Sequence, residues 1–108
     1  KNSEFDKAQK VLENNYQNNP KVATTNNLLG FCIVSKAMKN NLSFEKAEQY
    51  FLEAIRLDPD FVIAKENLTS YYLNVGNKKK ASFYLNQLLR QNQNNEKYIK
   101  FKKIDAVM

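Results

Sequence analysis

Three features of the sequence predict an all-α chain, an α-solenoid of antiparallel helix-turn-helix repeats with about six helices. Only two glycines and two prolines occur in 108 residues, and valine, isoleucine and threonine are sparse, a balance that favours helix over strand. Apolar residues recur at helical spacing, most clearly in EKAEQYFLEAIRLDPDF (Glu45–Phe61), where Ala47, Phe51 and Ala54 fall at i, i+4 and i+7 on one face. The same stripe then returns elsewhere in the chain at a period long enough for a helical hairpin.

The elements follow from their start and stop signals, which place helices near 3–18, 20–39, 43–57, 59–75, 77–92 and 94–107. Ser3, Ser43 and Asn77 are N-cap candidates, each ahead of an amphipathic run. Asn19-Pro20 and Asp58-Pro59 each set a capping side chain before a proline at the first helical position. Gly76 and the asparagine-rich stretches at 40–41 and 92–95 break the pattern. The links are only a few residues long, so successive helices must lie antiparallel.

Ala81, Leu85 and Leu88 lie 34 residues after the alanine-aromatic stripe, and Ala8, Leu12 and Asn15 lie 39 residues before it. Lysine precedes the alanine in every copy, as Lys7, Lys46 and Lys80, and Pro20 and Pro59 keep the same register. Alternating small and large side chains let a neighbouring backbone approach at the alanines while the larger residue fills the space between.

Residues 59–93 supply Leu68, Tyr72, Gly76, Ala81 and Leu85, and residues 20–59 supply Leu29, Gly30, Ala47, Phe51, Ala54 and Pro59. In this register the chain resembles the tetratricopeptide repeat family, whose 34-residue unit carries a leucine-glycine pair and a tyrosine on its first helix. A glycine follows at the turn, and alanines flank a large apolar residue on the second helix. The resemblance implies one domain over 1–108 that winds as a right-handed superhelix. Residues 3–19 would be the second helix of a half repeat, 20–58 a full repeat with a lengthened turn, 59–93 a full repeat and 94–108 a capping helix. The step from Gly30 to Ala47 is five residues longer than the family spacing; a longer first helix plus a longer turn is expected around KAMKNNL (36–42). Thr69 stands where a small residue is expected, and Leu88 and Asn15 where alanine is.

Chemistry is sparse. The chain has no histidine, the commonest general base and metal ligand, and its single cysteine cannot build a thiolate zinc site. Two isolated glycines make no phosphate-cradling loop. Cys32, inside LLGFCIV, reads as a buried thiol, and that apolar run is far shorter than the roughly 20 residues of a membrane helix. Asp58 and Asp60 suit a positive helix N-terminus, and Glu45, Glu48 and Glu53 interleave with Lys46 and Arg56 as a solvated face does. A non-enzymatic protein without cofactor or metal is expected.

Binding is the expected activity. In the resembling family the first helices line a concave groove that holds a peptide or partner segment. The register assigns Asn27, Phe31, Val34 and Ser35 to that surface from one repeat. It adds Glu66, Asn67, Ser70, Leu73 and Asn74 from the next. Asparagine both donates and accepts, which suits a peptide backbone, and Phe31 would be an apolar anchor. The family's carboxylate-clamping subtype needs lysines where this chain has Asn27, Ile63 and Glu66, so binding of that kind is not expected. Tyr72 is expected in the core and its neighbour Tyr71 partly exposed.

Charge is uneven. Residues 1–60 hold eight basic and eight acidic side chains, whereas 61–108 hold nine and three, so the whole net charge of +6 resides in the second part. Lys78, Lys79, Lys80, Lys97 and Lys100 form its core. The alternative function is therefore electrostatic binding of nucleic acid or an anionic membrane through 76–108. Self-association through the terminal helices is a further route to a homo-oligomer.

Overall fold

The computed structural model describes residues 2–40, 45–92, 96 and 98–100. Five helices are delimited: α1 (Asn2–Asn18), α2 (Ala23–Asn40), α3 (Glu45–Leu57), α4 (Val62–Asn74) and α5 (Lys78–Gln91). Helical backbone resumes at Glu96 and at 98–100. The described residues contain no strand, so the all-α class holds. The chain divides into two compact units, 1–61 and 62–108. In the first, α2 packs on both α1 and α3; in the second, α4 packs on α5.

The two prolines do not begin helices. α2 and α4 start at Ala23 and Val62, three residues beyond Pro20 and Pro59. The capping side chains bond within their own turns instead. Lys21 donates its backbone N–H to Asn19 Oδ1 at 3.0 Å, and Asp60 donates to Asp58 Oδ1 at 3.2 Å. Each is an Asx turn closed around a proline that fixes φ. These turns lie 39 residues apart and are alike in bonding, so the repeat extends to its connections. Ser3 lies inside α1 and not at its cap, and Ser43 lies outside the described residues.

The five extra residues of the middle repeat are helical. α2 has 18 residues and α4 has 13, and the surplus falls after Gly30, where α2 runs ten residues further and α4 runs five beyond the equivalent Thr69. The α4–α5 turn is built by Gly76 and Asn77. Gly76 has φ +79°, its N–H donates to Leu73 O at 3.3 Å, and Asn77 N–H donates to Tyr72 O at 2.8 Å. That pair of bonds is a Schellman ending. Asn77 then starts α5, its Oδ1 accepting from Lys80 N–H at 3.2 Å.

Packing follows the repeated stripe in α3 and α5. Ala47, Phe51 and Ala54 are buried, as are Ala81, Leu85 and Leu88. Gly30 gives the Phe51 ring its place: a Cβ at Gly30 would lie 2.6 Å from Phe51 Cε1. The position one repeat on is Thr69, fully buried, and its register partner is the smaller Leu85, also fully buried. The second unit is completed by Tyr98, which forms a cluster with Leu85 and Leu88, flanked by Val62 and Leu89.

Two expectations fail. The first copy of the stripe is not buried: Ala8 and Asn15 are exposed and Leu12 half-buried. Within its unit α1 has a packed partner on one side, α2, and its less exposed positions are Gln9, Leu12 and Tyr16. Tyr71 is not partly exposed either. Both Tyr71 and Tyr72 are buried, at 5% and 2%, with their rings edge to face 5.5 Å apart. Tyr72 also stacks on Tyr84 at 6.1 Å.

Candidate interaction surfaces

Because α2 is packed on two sides, its buried arc is wide. It takes in Thr25, Asn26, Asn27, Leu29, Gly30 and Cys32. What remains outward is a narrow strip at i, i+4, i+7 and i+11: Thr24, Leu28, Phe31 and Ser35. Leu28 and Phe31 are 41% and 47% exposed, an apolar pair one helical turn apart. Adding 39 to each position gives Ile63, Asn67, Ser70 and Asn74 on α4, again the more exposed line of that helix. The strip therefore repeats in register, apolar in the first copy and mostly polar in the second.

The residues assigned to the groove separate on this map. Phe31, Ser35, Asn67, Ser70 and Asn74 lie on the strips, and Val34 and Leu73 flank them half-buried. Asn27 is buried, 3% exposed, because the α2 arc facing its neighbours includes it. Glu66 is half-buried and accepts a 2.7 Å hydrogen bond from the Tyr98 hydroxyl. Burial and that bond push the Tyr98 hydroxyl up to about 12. Leu28 is missing from the sequence-based assignment, although the 39-residue offset from Asn67 points to it.

Of the basic residues, Lys79, Lys80 and Lys100 are exposed and Lys78 is half-buried; Lys97 lies outside the described residues. Lys80 Nζ sits 5.5 Å from the centre of the Tyr72 ring, in cation–π range.

Two ion pairs stand elsewhere. Lys36 meets Asp6 at 2.8 Å between α2 and α1, which holds the Asp6 carboxyl below its ordinary range and the Lys36 ammonium above its own. Arg56 grips Glu53 with two bonds of 2.6 and 2.7 Å, lowering the Glu53 carboxyl by hydrogen bonding. Burial raises the Cys32 thiol, so it is a poor nucleophile at neutral pH. Among the described residues no group of three or more cysteine or acidic side chains is placed to hold a metal ion, and no helix is long and apolar enough to cross a membrane.

The first unit also contains a pocket of about 410 Å³ lined by Tyr16, Asn26, Lys46, Gln49, Tyr50 and Glu53. Tyr16 and Tyr50 meet edge to face with centroids 5.6 Å apart. Asn26 is 1% exposed. Its Nδ2 donates to Pro20 O and Val22 O, both at 2.9 Å, while its Oδ1 is buried with no hydrogen-bond partner among the described residues. An unmade bond at a buried carbonyl oxygen costs about 1–3 kcal/mol.

Comparison with protein-family models, with curated proteins and with solved structures finds no match to this chain.

Proposed function

We propose that this chain is a non-catalytic protein-interaction module of the tetratricopeptide type. Its helical hairpins serve as a scaffold, and a partner segment binds along the outward strip of a first helix. The single observation that carries the reading is the Leu28–Phe31 pair. Two large apolar side chains one turn apart remain exposed on a helix otherwise packed on two sides. A partner that covers both removes roughly 25 cal/mol per Å² of apolar surface from water. The family assignment rests on the repeat itself, with the buried stripe present in α3 and α5 and matching Asx turns before α2 and α4.

The test is a peptide-display selection on the wild-type chain, with counter-selection on Leu28→Ser/Phe31→Ala. Peptides enriched only on the wild type, with apolar anchors three or four residues apart, are expected. Peptides that bind both chains equally would overturn the assignment.

The electrostatic alternative predicts a different response. Binding of RNA or anionic vesicles through Lys79, Lys80 and Lys100 would weaken steeply with salt. Strip binding through Phe31 would change little. Self-association is favoured by one further observation: Ala8 and Val11 are exposed on α1, Val11 at 60%, whereas Ala47 and Ala81 are fully buried. Sedimentation of the wild type against Val11→Lys decides it.

A further inference from the structure

The pocket beside Asn26 is a second binding site, separate from the α2 strip, and none of the strip residues lines it. We infer that it takes a peptide main chain, with an amide N–H on Asn26 and a carbonyl or terminal carboxylate on Lys46 and Gln49.

The orientation of the Asn26 amide is fixed. Both Pro20 and Val22 present carbonyl oxygens to its Nδ2; turning the amide over would set oxygen against oxygen at two places. Oδ1 is therefore an obligatory acceptor on the wall of the pocket, and whatever satisfies it must bring a donor. Lys65, the residue one repeat on, is also buried, so this register position points inward in both copies. In the first copy alone it carries an amide.

The rest of the lining selects what accompanies that donor. Lys46 and Gln49 stand on one face of α3 at i and i+3, both exposed, and offer an ammonium and a carboxamide to an acceptor. Glu53 also faces the pocket, but both of its oxygens are held by Arg56. It adds negative charge that disfavours phosphate beside a single lysine. Tyr16 and Tyr50 supply an aromatic wall for a small side chain. A donor and an acceptor fixed in one planar group are what a peptide amide presents. The volume of about 410 Å³ lies within the range of small-ligand sites.

The experiment is a ¹⁵N NMR titration of the whole chain with N-acetyl-Ala-Ala N-methylamide, and in parallel with the free acid N-acetyl-Ala-Ala. Saturable shifts of the Asn26 side-chain amide and of the Lys46 and Gln49 backbone are expected. A larger effect from the free acid assigns the acceptor position to a chain terminus, and equal effects assign it to an internal amide. Lys46→Gln/Gln49→Ala alters only exposed side chains, and it should raise the dissociation constant about tenfold, the loss of one charge-assisted hydrogen bond. Leu28→Ser/Phe31→Ala should leave these shifts unchanged, which separates this site from the α2 strip. Three outcomes would overturn the inference: no saturable shift at Asn26, the same shifts in the Lys46/Gln49 variant, or equal shifts from glycerol, which donates hydrogen bonds but lacks the amide pair.

Discussion

Gly30 and Phe51 are matched across the α2–α3 contact: the ring of Phe51 occupies the space that a Cβ on residue 30 would take, at 2.6 Å from Cε1 and 2.8 Å from Cδ1. Phe51 is 1% exposed, so the ring has little room to retreat. Gly30→Ala should therefore destabilise the chain. Helix propensity favours alanine by about 1 kcal/mol, and overpacking opposes it by about 1–3 kcal/mol. The second unit has Thr69 and Leu85 at the matching positions, so Gly30→Ala/Phe51→Leu should recover stability. Urea denaturation of the two single variants and the double should show a favourable coupling of about 1 kcal/mol or more; simple additivity would mean the pair is not matched.

The same substitution at the other glycine tests a different cause. No atom lies within 4 Å of a Cβ built on Gly76, but its φ is +79°. Gly76→Ala should cost about 1–2 kcal/mol from backbone strain alone, and Gly76→Asn less, since asparagine tolerates the left-handed region. Next to it, Asn77→Ala removes the α5 cap and should cost about 0.5–2 kcal/mol. Thermal unfolding of all three checks the order.

Tyr98 makes stability sensitive to alkali. Its hydroxyl is raised from 10.0 to about 12 by burial and by its bond to Glu66. Between those values the folded chain keeps the proton and the unfolded chain loses it, so unfolding is favoured as pH rises. The stabilisation is complete below about pH 10 and is lost by about pH 12. Tyr98→Phe should remove that limb from a plot of stability against pH. It should also cost about 1.5–3 kcal/mol near neutrality, the range for a hydrogen bond to a charged group.

Cys32 should behave as a reporter of unfolding. It is 5% exposed and its thiol is raised by burial. A thiol reagent at pH 7 should react slowly with the native chain and at the rate of a free thiol in urea. Fast native reaction would mean that α2 opens readily.

Equivalent alanines should differ in tolerance. Ala47→Leu should cost about 1–3 kcal/mol by overpacking, because Ala47 has no exposed surface. Ala8→Leu should fall within about 0.5 kcal/mol of the parent, as an exposed surface change does, because Ala8 faces solvent. Equilibrium unfolding of the two variants measures the contrast.

Local features were legible in residue order and long-range ones were not. Gly76 and Asn77 carry local chemistry, a left-handed turn and a cap, and both were readable because their roles depend on neighbours within a few residues. Asn19-Pro20 and Asp58-Pro59 were readable as breaks, but their side chains chose the nearer amide two residues on, which moved both helix starts by three residues. The groove assignment was half readable. Periodicity put Phe31, Ser35, Asn67, Ser70 and Asn74 on the outward strips, yet it could not show that two-sided packing of α2 would bury Asn27 and leave Leu28 outside.

The sequence by itself determined the helical class, the repeated stripe and the turn at Gly76, because helix propensity, spacing and backbone stereochemistry act over a few residues. Only the tertiary structure decided which copies of the stripe are buried, that Tyr98 takes Glu66 as its partner, and that Asn26 keeps an unpaired oxygen beside a polar pocket. These depend on which surfaces meet across long stretches of chain. A stripe read from spacing is only an offer of a contact, and Ala8 and Ala47 make the same offer with opposite results.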